Sequence, residues 1–130
     1  MVDYDIYMFL KIKFLYYLGR KKIEAAKIEL DKYKYKYGQN YKYYDLLFTY
    51  SYEIKDFQTA YDAFRKCIEL RGVDTKFENW GISFFIENKI AEKNYQLAAR
   101  NAMGIADLEN LSPRSRVRIL KLLEYIKKNI

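Results

Sequence analysis

Histidine is absent and Cys67 is the only cysteine, so the side chains that most often do catalytic work are nearly missing. Without imidazole there is no common general base near neutral pH and no Ser-His-Asp or Cys-His nucleophile set. A zinc site of the usual Cys/His kind cannot be assembled, and no disulfide can close within the chain. The carboxylates are scattered at helix-surface spacing; Asp56 and Asp62 read as a turn residue and a solvated face. Gly81 and Gly104 stand alone, and neither a Gly-x-Gly-x-x-Gly run nor a phosphate-binding loop occurs. The expectation is a non-enzyme with no cofactor and no metal.

The chemistry that the composition does offer is recognition. Fifteen tyrosines accompany an excess of lysine and arginine. They concentrate in Asp31-Lys32-Tyr33-Lys34-Tyr35-Lys36-Tyr37-Gly38, followed by Tyr41, Lys42, Tyr43 and Tyr44. Strict alternation suits a strand with one tyrosine face and one lysine face. A helix end is the preferred reading, because a helical pattern runs into it from Ile23, Gly38 offers a C-cap and lysines suit that end of the dipole. Three roles stay open. The tyrosines pack between neighbouring elements with their hydroxyls at the surface, bind an acidic or aromatic peptide, or stack bases while lysines hold phosphates.

The net charge of +7 is uneven. Residues 1–38 carry +4, residues 39–109 carry −2 and residues 110–130 carry +5. Basic ends suit an acidic protein, nucleic acid or a membrane surface, although the richness in Lys, Tyr, Ile and Asn also looks like the bias of an AT-rich genome. The apolar stretch Ile6 to Leu18 contains Lys11 and Lys13 and is too short to span a bilayer. It has neither the basic lead nor the cleavage site of a secretory signal. With a lone cysteine, the expected location is cytoplasmic.

Positioning these residues falls to helices. One proline and five glycines in 130 residues leave long stretches without a breaker. The apolar spacing predicts helices at about 3–18, 22–37, 41–54, 57–71, 76–92, 95–108 and 113–129. Ser112 and Pro113 mark the last start as N-cap and first helical residue. On that helix Val117, Leu120, Leu123, Ile126 and Ile130 form the apolar stripe expected to face inward.

Three segments repeat one pattern, a large apolar residue three places before an alanine: Ile23/Ala26, Phe57/Ala60 and Tyr95/Ala98. Ala26 and Ala60 are 34 residues apart, and Ala60 and Ala98 are 38 apart. A small side chain at that place lets two antiparallel helices approach closely. On these residues Tyr44 to Gly72 resembles a tetratricopeptide (TPR) repeat. Leu47 and Phe48 stand for its Leu-small pair, Lys55-Asp56-Phe57 for its Gly-Asp-Tyr turn, and Ala60, Phe64 and Cys67 for its second-helix positions. Phe48 and Lys55 depart from the pattern. The first repeat matches through Gly19, Ile23, Ala26 and Leu30, and the third through Asn94, Tyr95, Ala98 and Ile105.

The resemblance implies an all-α single domain over 1–130, a right-handed α-solenoid. It has three antiparallel helix hairpins, at about 3–37, 41–71 and 76–108, and a capping helix at 113–129. It also implies a non-catalytic protein- or peptide-binding module of scaffold, chaperone or peptide-receptor type, whose concave face is lined by the first helix of each hairpin. In this chain that face is Met8 and Lys11, then Lys42, Asp45, Thr49 and Tyr52, then Trp80, Ser83 and Glu87. Trp80, the only tryptophan, is the anchor candidate. Two other partners are expected on residue grounds. Arg114, Arg116, Arg118, Lys121, Lys127 and Lys128 along the last helix are a candidate nucleic-acid patch. Helix one is apolar nearly all round, so residues 6–18 are a candidate contact with a second copy of the chain. A subunit of a larger complex, docking its basic ends on acidic neighbours, is the remaining alternative.

Overall fold

The computed structural model describes the backbone of residues 2–71 and 74–130, and side chains from Leu10 onward within those ranges. Met8 as a contact, the side chains of residues 6–9 and the break expected at Gly72-Val73 lie outside the described residues. Among the described residues the chain is all-helical, with no strand, in seven continuous helices. These are α1 (Val2–Gly19), α2 (Ile23–Tyr37), α3 (Tyr41–Glu53), α4 (Phe57–Arg71), a helix over 75–91, α7 (Tyr95–Ala106) and α8 (Pro113–Lys128). The 75–91 helix is α5 (Thr75–Ile82) and α6 (Asn88–Ala91) joined by a π-helical turn, Ser83–Glu87. No helix among the described residues is long and apolar enough to cross a membrane.

The helices start where capping chemistry dictates. Asn40, Asp74, Asn94 and Ser112 each accept the backbone N–H three residues on, through the side chain, which satisfies one of the free donors of a first turn. Pro113 occupies the opening of α8. The tyrosine–lysine run is helical to Tyr37, where Gly38 at φ 83° donates its N–H to the Lys34 carbonyl at 2.8 Å.

Three interhelical turns share one geometry. Lys21, Lys55 and Lys93 adopt φ 59°, 64° and 60°. Each donates its N–H to the carbonyl three residues back, on Leu18, Tyr52 and Ile90. The next residue donates to the carbonyl five back: Lys22 to Tyr17 at 2.9 Å, Asp56 to Ser51 at 2.8 Å and Asn94 to Lys89 at 2.8 Å. This pair of bonds is the Schellman closure of a helix end, in which the left-handed residue is usually glycine. Gly19 is not that residue in the first turn; it ends α1, with open space where a Cβ would stand. Five residues after each left-handed lysine comes a fully buried alanine: Ala26, Ala60 and Ala98 are each 0% exposed.

The chain divides into two compact units, Met1–Cys67 and Ile68–Ile130. In the first, α1 packs on α2, and both touch α3. Phe14, Leu18, Ala26, Leu30, Tyr33, Tyr43 and Leu46 form the centre. The Phe64 ring of α4 meets Phe48 of α3 with centroids 6.5 Å apart. On α1 the opposite row, Ile12, Leu15 and Tyr16, is exposed. In the second unit α7 packs against the π-helical turn and against α8, and α5 touches α8.

The last helix differs from expectation. Its buried residues are Ser115, Ile119 and Ile126. Of the predicted stripe only Ile126 is buried, whereas Val117, Leu120 and Ile130 are exposed. Steps of three residues drift about 60° around a helix, so Val117 and Ile126 lie on opposite faces, and Ile126 belongs with Ile119 to a shorter row at a seven-residue step. The helix turns its shorter row inward because Ser112 and Ser115 are pulled onto a buried carboxylate on α5, described next.

Candidate functional site

The proposed first-helix positions fall on three helices. On α3, Lys42, Asp45, Thr49 and Tyr52 follow one another at helical-face spacing, and all are at least partly exposed. The Thr49 hydroxyl donates back to the Asp45 carbonyl at 3.1 Å. Tyr52 stacks on Phe48, with centroids 6.3 Å apart and planes 22° apart, and meets Phe57 edge-on at 6.2 Å. Lys11 on α1 is half-buried.

On α5 and the π-helical turn, Trp80 lies flat on Phe84, with centroids 4.9 Å apart and an interplanar angle of 11°. Both meet Phe85 edge-on. Trp80 remains 38% exposed, which leaves its indole a large apolar surface held rigidly by ring contacts. Beside it the Ser83 hydroxyl donates to Glu87 Oε1 at 2.9 Å.

The structure joins two sets that the sequence kept apart. Arg118, assigned to a basic patch on α8, reaches Ser83 and Glu87 on the first-helix face. Its guanidinium donates to Glu87 Oε1 at 2.8 Å, Asn79 Oδ1 at 3.1 Å and Ser83 Oγ at 3.4 Å. Arg116 is also committed: it donates to the Ala106 carbonyl at 3.1 Å and to the Leu108 carbonyl at 2.6 Å, closing the C-terminal end of α7. Arg114, Lys121 and Lys128 recur every seven residues and are exposed. Lys127 lies away from them, in a groove beside α7. The six residues therefore do not form one basic surface.

The buried polar framework under this face has no signature in the sequence. Glu78 is 0% exposed. Its carboxylate accepts the Ser112 hydroxyl at 2.7 Å, the Ser115 hydroxyl at 2.7 Å and the Ser112 N–H at 3.2 Å. A buried carboxylate so supplied ties the start of α8 to α5. A glutamate in the first turn of a helix reads as a solvated residue, and nothing in the spacing marks this one. The π-helical turn is closed by Asn88 N–H donating to the Ser83 carbonyl. The buried Asn101 of α7 donates to the Phe85 carbonyl at 2.9 Å, serving a backbone acceptor in the widened turn.

In the first unit the Lys/Tyr run divides by burial. Tyr33 and Tyr43 are buried, and Tyr35 is 96% exposed. The Tyr33 hydroxyl lies 3.2 Å from Asn40 Oδ1, to which it donates. Burial raises the phenol pKa of both Tyr33 and Tyr43 above the ordinary value, partly offset at Tyr33 by the Asn40 bond and at Tyr43 by the charge of Lys27. Glu29 is a second buried carboxylate, paired with Lys13 at 3.2 Å and Lys32 at 3.6 Å. No group of three or more His, Cys, Asp or Glu side chains among the described residues is gathered to hold a metal ion. Compared with protein-family models, with curated proteins and with solved structures, the chain matches none.

Proposed function

We infer that this chain is a non-catalytic protein- or peptide-binding module built of divergent TPR-like hairpins, and that the exposed faces of its first helices make the contact. The observation that carries the reading is the turn at Lys21, Lys55 and Lys93, with the same two hydrogen bonds and a fully buried alanine just beyond. A supersecondary unit used three times at near-constant spacing is the mark of repeat architectures, and such architectures serve chiefly as binding scaffolds. The resident aromatics fit that task. Tyr52 and Trp80 are part-exposed rings fixed by neighbouring rings, so little freedom is lost when a partner covers them.

The test is a pull-down from the native cell, comparing the wild type with the double variant Tyr52→Ala, Trp80→Ala. A defined protein that the wild type retains and the variant loses is the expected result. Retention of nothing specific, or of the same proteins by both, contradicts the reading.

A second reading is favoured by one observation: Arg114, Lys121 and Lys128 form an exposed row along α8, with no ion pair among the described residues. Such a row fits phosphates of a nucleic acid. Binding would then weaken steeply as salt rises, and its absence at low salt removes this alternative.

A further inference from the structure

The basic residues of α8 are not spread evenly around it. At about 100° per residue, Arg114, Arg118, Lys121, Tyr125 and Lys128 fall within one sector of about 80°, and no other residue of the helix shares it. Arg114, Lys121 and Lys128 are exposed and stand seven residues apart, so a cation recurs about every 10 Å over about 21 Å. None of the three has an ion-pair partner among the described residues. Glu124, the one carboxylate of α8, stands just outside the sector and pairs with neither Lys121 nor Lys128. Arg118 closes the row on the α5 side, its guanidinium held by Glu87, Asn79 and Ser83.

One ring stands in this row. Tyr125 is 50% exposed, between Lys121 and Lys128 along the helix axis, and no aromatic ring packs on it among the described residues. A flexible anionic chain that carries flat groups matches both features: phosphates follow the cations, and a base stacks on the phenol ring. The one-sidedness of the row selects a single strand. A helix lying in a duplex groove has phosphate rows on both flanks, whereas Lys127, the only other exposed cation of α8, lies about 100–140° away around the helix. A polyglutamate segment or an anionic bilayer would satisfy the charges and give Tyr125 no planar group to stack on.

We propose that this face of α8 binds single-stranded nucleic acid, with Arg114, Lys121 and Lys128 following the backbone and Tyr125 stacking on a base. The proposal rests on the second reading above and narrows it to one strand form and one stacking residue; the Tyr52/Trp80 face is independent of it.

Fluorescence anisotropy on the full chain is the test, with labelled oligouridylate and oligothymidylate of about twelve nucleotides. Unlabelled duplex, polyglutamate and phosphatidylserine vesicles serve as competitors. At low salt the single strands should bind, the tighter of the two telling RNA from DNA, and no competitor at equal charge should displace them. Three phosphate contacts give log affinity against log salt a slope of about −2, and Lys121→Gln should bring it to about −1.4. Tyr125→Ala should weaken binding about tenfold with the slope unchanged, and Tyr125→Phe should retain the affinity. Lys127→Gln should change neither quantity. All three positions are exposed, and circular dichroism checks that each variant keeps its helices. Preference for the duplex, or full affinity in Tyr125→Ala, overturns the proposal and leaves the second reading standing. Displacement by polyglutamate or by vesicles overturns it in favour of an acidic protein or a membrane. No binding of any nucleic acid at low salt removes both.

Discussion

At the residue scale, the most informative side chains are three lysines in a conformation that disfavours them. Lys21, Lys55 and Lys93 hold positive φ, where a Cβ crowds the following carbonyl at a cost of about 1–2 kcal/mol. Glycine removes that crowding and returns part of the gain through a freer unfolded chain. Lys55→Gly is therefore expected to stabilise by about 0.5–1 kcal/mol, and Lys55→Val to destabilise by more than about 1 kcal/mol, as urea melts would register. The resemblance marked Lys55 as a departure from glycine, so this site was legible. Lys21 was not, because Gly19 two residues earlier is the more obvious turn residue and is helical instead.

Tyrosine ionisation gives a second residue-scale prediction. The Tyr33 and Tyr43 phenols titrate above their ordinary value of 10.0 because burial disfavours the phenolate. A folded-state pKa raised above the unfolded value contributes stability that is complete below about pH 10 and is lost as pH climbs through the raised values. Helicity by circular dichroism should hold to about pH 10 and fall beyond it. Tyr33→Phe and Tyr43→Phe should each delete one late-ionising phenol. Loss of no high-pH phenolate signal on either substitution, in a still-folded chain, would contradict the burial.

At the element scale, the proposed α3/α4 hairpin would rest on a small residue where its helices cross. Ala60 is 0% exposed, so Ala60→Leu should overpack the crossing and cost about 1–3 kcal/mol. Gln58→Leu on the exposed side of the same helix should be nearly neutral. Equal losses at both would mean that the crossing lies elsewhere. Tying α8 to α5 is the task of a charge. Removing Glu78 leaves two buried serine hydroxyls and an N–H without their acceptor, so Glu78→Ala should cost about 3 kcal/mol, against little for the exposed Glu124→Ala.

The same scale shows why legibility was uneven. Helix positions and caps follow from local chemistry, and the expected segments lie within a few residues of those observed, down to Ser112 and Pro113. The inward face of α8 depends on Glu78, 34 residues away from Ser112 in sequence, and periodicity carries no such information. The π-helical turn is also non-local: its Phe85 carbonyl is served by Asn101 from α7, and no local motif announces it.

At the scale of the whole molecule, charge is the broadest feature. Charge concentrates at the two ends of the sequence. The structure breaks the C-terminal concentration into interior ties, through Arg116 and Arg118, and exposed cations on two sides of α8. Trp80, Ser83 and Glu87 were placed on one face from sequence, and they lie together on one helix beside Arg118. The arginine itself was foreseen only as part of a different surface. Composition excluded the common imidazole-dependent chemistries; it could not say which exposed aromatic rings are held rigid, because ring packing is a tertiary property.

The central claim is that partners meet the first helices. Site-specific photocrosslinking in the native cell tests it, with a benzophenone amino acid placed in turn at Tyr52, Trp80, Gln58 and Gln96. A partner band is expected from Tyr52 and from Trp80, and none from Gln58 or Gln96, which are exposed on the second helices α4 and α7. A partner captured from the second-helix positions and not from Tyr52 or Trp80 would contradict it.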